Sequence, residues 1–476
     1  MFGTLGSKWQ YSKINLNSIN EVINIFRFLS FFIFPLLLYF YLKFIKNYKF
    51  KSDIILNCFY LIFVFQLLGF ANFYYFNQIL YFEKLNDPNL ISNGYNLRFS
   101  YSFYIALSSI VPLPLMALLL NKYQLTRNFL KISIIILSLI TVIFLSKVIY
   151  DFFNSNKIYF YHLGFLTWGK VLDVAAPRAT GISKWLLIIY LFIISYVCIN
   201  KRENYLIIIL AIFIGVFIYL FQSRTSVYFL FFSTLLIFFK EKKYFINSLK
   251  IFTIIGSILI ISHLIINYKH ESIIKDVDEQ ILIFEKELKE LKKEKEVTKN
   301  TEETENIIKS LNNIKTNYYE IESNRNFGNK DNFSTGRTEI WKELLNYILK
   351  RNIKNSIIGY GPQSDRYFSG QNASSGIIYV LITSGFIGLF FYCIICLRIT
   401  YLFLKLFKSK KNIFNQKTDK VVLLLFSILT LIYFMLRSLV EISFMSFGMD
   451  YLFFLICYVY LRNFIKTLGN NQHNNP

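Results

Sequence analysis

Apolar runs of about 16 to 24 residues recur along almost the whole chain, matching the length a helix needs to cross the hydrocarbon core of a bilayer. About eleven such spans, within a range of ten to twelve, are expected, near 27–45, 54–76, 101–120, 130–150, 183–200, 204–221, 226–240, 250–267, 376–397, 420–437 and 447–464. Each carries Ile, Leu and Phe at nearly every position, as helices facing lipid or one another do. The 476-residue length alone would suit two or three soluble domains. Only 17% of the residues are charged, however, against about 25% in a soluble domain, and mean hydropathy is +0.42. A soluble enzyme is excluded, and the expected fold is an all-α polytopic integral membrane protein.

Short loops rich in Lys and Arg mark the cytoplasmic side of such a protein. Lys43, Lys46, Lys49 and Lys51 fall in one loop, and Lys122, Arg127 and Lys131 in the next. Lys201 with Arg202, then Lys240, Lys242 and Lys243, continue the pattern, and Arg398, Lys405, Lys408, Lys410, Lys411, Lys417 and Lys420 complete it. They alternate with segments near 77–100, 151–182, 222–225, 268–375 and 438–446, which fall outside. The C-terminus then lies inside and, with eleven spans, the N-terminus outside. No cleavable signal is expected, because about 26 mostly polar residues precede a first apolar run long enough to span. The net charge of +23 is therefore a topology signal, and nucleic acid is not an expected partner. Cys58, Cys198, Cys393, Cys396 and Cys457 all lie in apolar runs, so neither disulfides nor metal sites are expected, and Cys393-Ile-Ile-Cys396 reads as packing.

This reading divides the chain into a membrane part over 1–267 with spans one to eight, a large outside loop over 268–375, and a second membrane part with a cytoplasmic tail over 376–476. Between Lys269 and Asp331 the loop holds 15 acidic and 12 basic residues, more than half of the 29 acids in the chain. Ile281, Phe284, Leu288 and Leu291 follow a 3-4-3 spacing, and Ile307, Leu311, Ile314, Tyr318 and Ile321 a 4-3-4-3 spacing. Both are apolar stripes of short helices, and Asn300 with Glu303 offers a capped start to the second. A coiled helical hairpin over 274–324 is expected, marginal by itself. It is either a partner-binding or chain-guiding arm or an incidental insertion.

A second helix is expected over 338–350, where Ile340, Trp341, Leu344, Leu345 and Ile348 share one face. Such a helix lies along the membrane surface with Trp341 at headgroup level. Arg337 falls at its N-terminal end, with Ser334 or Thr335 available as a cap. Free amides and the helix dipole there favour an anion, and the guanidinium strengthens the preference. Gly359-Tyr360-Gly361-Pro362 reads as a tight turn that lets backbone approach a ligand.

Gly336-Arg337-x-x-Ile340-Trp341 followed by Gly359-x-Gly361 resembles the large-loop signature of the O-antigen polymerase and O-antigen ligase superfamily. Arg178-Ala179-Thr180-Gly181 before a span is similar to that family's Arg-x-x-Gly element, and Ser223-Arg224-Thr225 to its Ser-Arg motif. Arg437-Ser438-Leu439-Val440-Glu441 resembles the Arg-containing end of a late span. The resemblance runs over roughly residues 100–465. It departs at Asn372-Ala373-Ser374-Ser375-Gly376-Ile377, where the ligases carry a histidine thought to be catalytic. His270, at the other end of the loop, does not match that position. The departure favours polymerase over ligase.

The resemblance implies glycosyl transfer at the outer face of the bacterial inner membrane, with the large loop periplasmic. The donor would be an undecaprenyl-pyrophosphate-linked oligosaccharide and the acceptor a hydroxyl on another lipid-linked repeat unit. It also implies a chain-length regulator and a flippase as partners. Departure of a lipid pyrophosphate requires cations placed where charge builds, and arginine suits this because it stays charged and forks onto phosphate oxygens. Arg178, Arg224 and Arg337 are expected to carry that role, with Gly336, Trp341, Gly359, Tyr360, Gly361 and Arg437 around the substrate. A general base for the acceptor hydroxyl has five outside candidates, Glu339, Asp365, Glu441, His162 and His270, which the residues alone do not separate. Glu441 reads most simply as the i+4 ion-pair partner of Arg437. No metal-ligand spacing and no nucleotide-binding glycine loop is present in the sequence, so no metal or other cofactor is expected. The rival readings are a ligase, sharing the donor but using lipid A-core or protein as acceptor, and a flippase or other transporter. The last fits less well, since no internal repeat is evident.

Overall fold

The computed structural model describes residues 33, 35–76, 99–154, 179–200, 205–220, 224–238, 257, 275, 278–279, 282–283, 285–286, 337–350, 353–369, 372–409, 418–446 and 448–473. Among them every regular element is helical and there is no strand. In chain order the α-helices are α1 (Ile54–Phe76), α2 (Phe99–Ile110), α3 (Pro112–Leu119), α4 (Tyr123–Asn154), α5 (Ala179–Asn200), α6 (Tyr205–Leu220) and α7 (Arg224–Phe238). Within the stretch 268–375 come α8 (Arg337–Lys350), α9 (Ile353–Ile358) and α10 (Ser364–Ser369), and after it α11 (Gly376–Ser409), α12 (Asp419–Arg437) and α13 (Met449–His473). Five described helices are long and apolar enough to cross a membrane, over Ile54–Phe73, Tyr123–Ile143, Gly181–Ile199, Gly376–Leu406 and Asp419–Arg437. The count of eleven expected from sequence extends into residues outside the described set, including nearly all of 250–267. The hairpin expected over 274–324 likewise lies almost wholly outside it.

Two expected spans differ in detail. The run at 101–120 divides into α2 and α3, with Pro112 and Pro114 at the start of the second helix. Proline lacks the N–H that would continue the ladder, so it opens a helix more readily than it prolongs one. The run at 376–397 extends to Ser409, and the helix breaks inside at Gly385, whose φ of 66° and ψ of −166° are not helical.

The break is filled by another segment of the chain. Tyr360 N–H donates to Ile382 O and Gly361 N–H to Thr383 O, both at 2.9 Å. An unbroken helix would fill those carbonyls from residues 386 and 387, so the turn at 359–361 occupies acceptors that the break opens. The fit depends on bare backbone. A Cβ on Gly359 would stand 2.6 Å from Gly385 N, one on Gly361 would overlap Phe70 of α1, and one on Gly385 would overlap the Ile357 carbonyl. All three glycines have positive φ. Gln66 of α1 adds a 3.2 Å bond to Thr383 Oγ1. Backbone that is neither helix nor strand is tolerated in a membrane protein where protein buries it and satisfies it, and here α1, the turn and α11 do so together.

The two ends of the bundle are chemically different. At one end Asp53 caps α1 by accepting from Ile55 N–H at 2.9 Å. The same carboxylate takes Tyr458 OH at 2.5 Å and pairs with Arg462 Nε at 2.7 Å, tying α1 to α13. Asn463 bridges the α3–α4 corner, accepting from Asn121 N–H at 2.6 Å and donating to Leu119 O at 3.0 Å. Asp419 pairs with Lys131 at 2.8 Å and Arg127 at 3.5 Å. The opposite end gathers the starts of α5, α7, α8, α11 and α13 with the end of α12, and it carries the polar groups described next.

Candidate functional site

α12 ends at Arg437, after which Ser438 to Val440 form a turn. Glu441 N–H still reaches back to Arg437 O at 2.8 Å, which sets the two side chains beside each other. The Arg437 guanidinium forks, with Nη2 to Glu441 Oε2 and Nη1 to Asp450 Oδ2 at the start of α13. The second oxygen of Asp450 lies 2.5 Å from Lys184 Nζ, in the first turns of α5. Thr225 Oγ1, one residue into α7, donates to Glu441 Oε1 at 3.2 Å. Four charges, two of each sign, therefore join the ends of α5, α7, α12 and α13. Arg437 and Asp450 are each 7% exposed. Charges so far from water persist when they are paired.

Helix α8 reaches the same place. Arg337, the first residue of α8, donates from Nη1 to Val440 O at 2.9 Å. Four residues on, Trp341 Nε1 donates to Ala373 O at 2.7 Å. Leu344 and Ile348 are buried on the same face, and Ile340 and Leu345 pack beside the core. The N–H of Ala373 is held by Asp365 Oδ2 at 2.8 Å, so both backbone polar groups of this residue are fixed by side chains. Gly376 N–H then donates to Ser438 O at 2.6 Å, and Tyr392 OH meets Ser438 Oγ at 2.7 Å. The segment 373–376 is thereby bonded to α8, α10 and the turn after α12.

Asp365 is 1% exposed, and its Oδ1 has no hydrogen-bond partner among the described residues. Burial pushes its carboxyl above the ordinary value of 3.8, against the opposing pull of Arg366 and the Ala373 N–H. Tyr360, Tyr367 and Phe368 pack with Phe73 of α1 around the same turn, at ring separations of 5.5 to 5.9 Å from Phe73.

The residues singled out in the sequence thus fall in two places. Arg337 joins the turn after α12, beside Arg437 and Glu441, Trp341 bonds Ala373 O in the segment tied to that turn, and Arg224 opens α7 immediately before Thr225. Gly359, Tyr360, Gly361 and Asp365 belong to the neighbouring turn on α1 and α11, where the glycines approach helix backbone. Glu339 is exposed in the first turn of α8. Arg178, Gly336, His162 and His270 lie outside the described residues. Lys184 and Asp450 were not singled out. The signal that could have found them is an ionisable residue inside an expected span, one in 183–200 and one in 447–464. Among the described residues no three His, Cys, Asp or Glu are grouped to hold a metal ion.

Helical spans enclosing a paired charge cluster at one end define an all-α membrane protein with a polar site at the mouth of its bundle. Residues 206–393, about two fifths of the chain, match the family described as O-antigen ligase. That match supports the O-antigen polymerase and ligase superfamily and does not separate polymerase from ligase. It includes Arg224, Arg337, the turn at 359–361 and the segment 372–376, and stops short of Arg437, Glu441 and Asp450. No curated protein and no solved structure matches the chain.

Proposed function

We propose that the chain polymerises lipid-linked oligosaccharide repeat units into a surface polysaccharide of O-antigen or capsule type, by glycosyl transfer at the periplasmic face of the bacterial inner membrane. The donor is a glycan on undecaprenyl pyrophosphate and the acceptor a sugar hydroxyl of another lipid-linked unit. The observation that carries the reading is the approach of Arg337 to the turn after α12, beside the Arg437–Glu441 pair and the start of α7 that bears Arg224. Cations at a membrane-facing end suit a lipid pyrophosphate, whose departing charge needs donors already in place. Arg178, Arg224 and Arg337 hold that pyrophosphate. A chain-length regulator and a flippase are the partners such a reaction has.

Transfer to lipid A-core or to protein is the second reading, favoured by the description of the matched family. Against it stands the segment Asn372–Ile377, which has no histidine. Purified protein supplied only with lipid-linked repeat units decides between them on a gel. A ladder of repeats, absent with Arg337→Ala, supports the polymerase. Transfer only after lipid A-core is added replaces it with the ligase. Silence with both acceptors returns the chain to the transporter class.

A further inference from the structure

We infer that Glu441 is the general base of the transfer, taking the proton of the attacking acceptor hydroxyl while Arg437, Asp450 and Lys184 hold it in place from behind. The inference rests on the glycosyl-transfer reading above and assigns the step which that reading leaves without a residue.

Among the described carboxylates on this side, Glu441 is the one bonded both to the residue after Arg224 and to Arg437. Thr225, the neighbour of Arg224, donates to Oε1, and Arg437 pairs with Oε2. The carbonyl of the preceding residue, Val440, takes the Arg337 bond. Glu339 is exposed, and no described residue bonds its carboxylate. Asp365 is enclosed at 1% exposure, so an acceptor hydroxyl does not reach its open Oδ1. Asp450 sits deeper, with its side chain 9% exposed against 21% for Glu441 and a cation at each oxygen.

Glu441 therefore combines fixation with access. A carboxylate offers roughly four acceptor positions, and Thr225 and Arg437 use two. The remaining positions lie on a side chain that water reaches. Arg437 does not neutralise Glu441 alone, because its other fork is taken by Asp450, and Asp450 is in turn balanced by Lys184. One guanidinium shared between two carboxylates orients the base without claiming it entirely.

In the reaction the acceptor oxygen forms a bond to the anomeric carbon of the donor sugar. The bond from that carbon to the phosphate oxygen breaks, and its electron pair leaves on undecaprenyl pyrophosphate beside the arginines. The hydroxyl proton passes to a Glu441 oxygen and from there to water.

The test uses the purified full chain in proteoliposomes and lipid-linked repeat units extracted from cells lacking it. Two quantities are measured: the rate of glycosidic bond formation and the binding of undecaprenyl pyrophosphate. Glu441→Gln keeps the shape and an acceptor for Thr225, so binding should be unchanged while turnover falls by about 10²–10⁴. Wild-type turnover in Glu441→Gln overturns the inference, and so does loss of lipid binding in step with turnover, which makes the residue an anchor for Arg437. If Glu441→Gln does not fold, Glu441→Asp decides: slower turnover with unchanged melting and binding supports the base, and wild-type turnover overturns it. Silence from the wild-type protein itself sinks the glycosyl-transfer reading, and is seen before any variant is compared.

Discussion

Arg337 and Val440 stand 103 positions apart in the chain and are joined by a 2.9 Å bond from guanidinium to carbonyl. The bond uses one nitrogen of the guanidinium and draws the start of α8 to the turn that presents Glu441. A lysine in its place would have one charged nitrogen and could not both hold that carbonyl and fork onto a phosphate. Arg337→Lys should therefore leave the protein in the membrane and reduce transfer, and Arg337→Ala should reduce it further, by about 10²–10³ in kcat. Turnover of lipid-linked repeat units by each variant, normalised to membrane-inserted protein, checks the order. Equal rates for Arg337→Lys and wild type would remove the forked role.

The turn over 359–361 makes a different demand. Gly385 has a φ of 66°, and a Cβ there would overlap Ile357 O. A non-glycine residue in sparsely populated backbone costs about 1–3 kcal/mol, and overpacking against the turn adds to it. Gly385→Ala should lower the melting temperature more than Gly388→Ala, because a Cβ at 388 overlaps the Ser384 Cβ on helical backbone, whereas at 385 the overlap with Ile357 O adds to a positive φ that alanine rarely adopts. Thermal unfolding of both variants in one detergent gives the comparison. An unshifted Gly385→Ala would mean that α11 can run straight.

What could be read in advance follows from the range of each interaction. The span at 420–437 appears as Asp419–Arg437 and that at 54–76 as Ile54–Phe76, because each is marked by a local change in hydropathy. The Arg437–Glu441 pair was legible because four residues is one helical turn. The Lys184–Asp450 pair joins residues that no period connects, and only the burial of charge hints at it. The break at Gly385 was hidden for another reason. Glycine is common in membrane helices, and Ser384-Gly385-Phe386 does not show that a distant Gly-Tyr-Gly turn will fill the gap. The start of α8 was readable from Trp341 and its neighbours, whereas the bond of Trp341 to Ala373 depends on where the chain returns.

Asp365 predicts a pH effect with a definite sign. Its carboxyl is raised above 3.8 by burial, so the folded protein holds this proton more tightly than the unfolded chain does. The stabilisation is fully present below the ordinary carboxylate value and is lost as pH rises through the folded value, at most about 1.4 kcal/mol per pH unit. Asp365→Asn keeps an acceptor for Ala373 N–H and removes the titration. Its melting temperature should change less between mildly acidic and neutral buffer than that of the wild type, and a steeper wild-type gain on raising the pH would reverse the assignment.

The charge cluster predicts a rescue. Asp450→Asn removes the partner of Lys184 and one partner of Arg437, leaving a buried excess of one positive charge. Breaking a buried pair from one side costs about 3–5 kcal/mol, because the remaining charge keeps its desolvation penalty without compensation. Lys184→Met made together with Asp450→Asn restores neutrality, since Arg437 still faces Glu441. The double variant should therefore melt above Asp450→Asn alone, although it lacks one more native side chain. A double-mutant cycle on melting temperature reads the coupling directly. Additive losses would show that Lys184 and Asp450 do not depend on each other, and the 2.5 Å approach of their charges would carry no stabilisation.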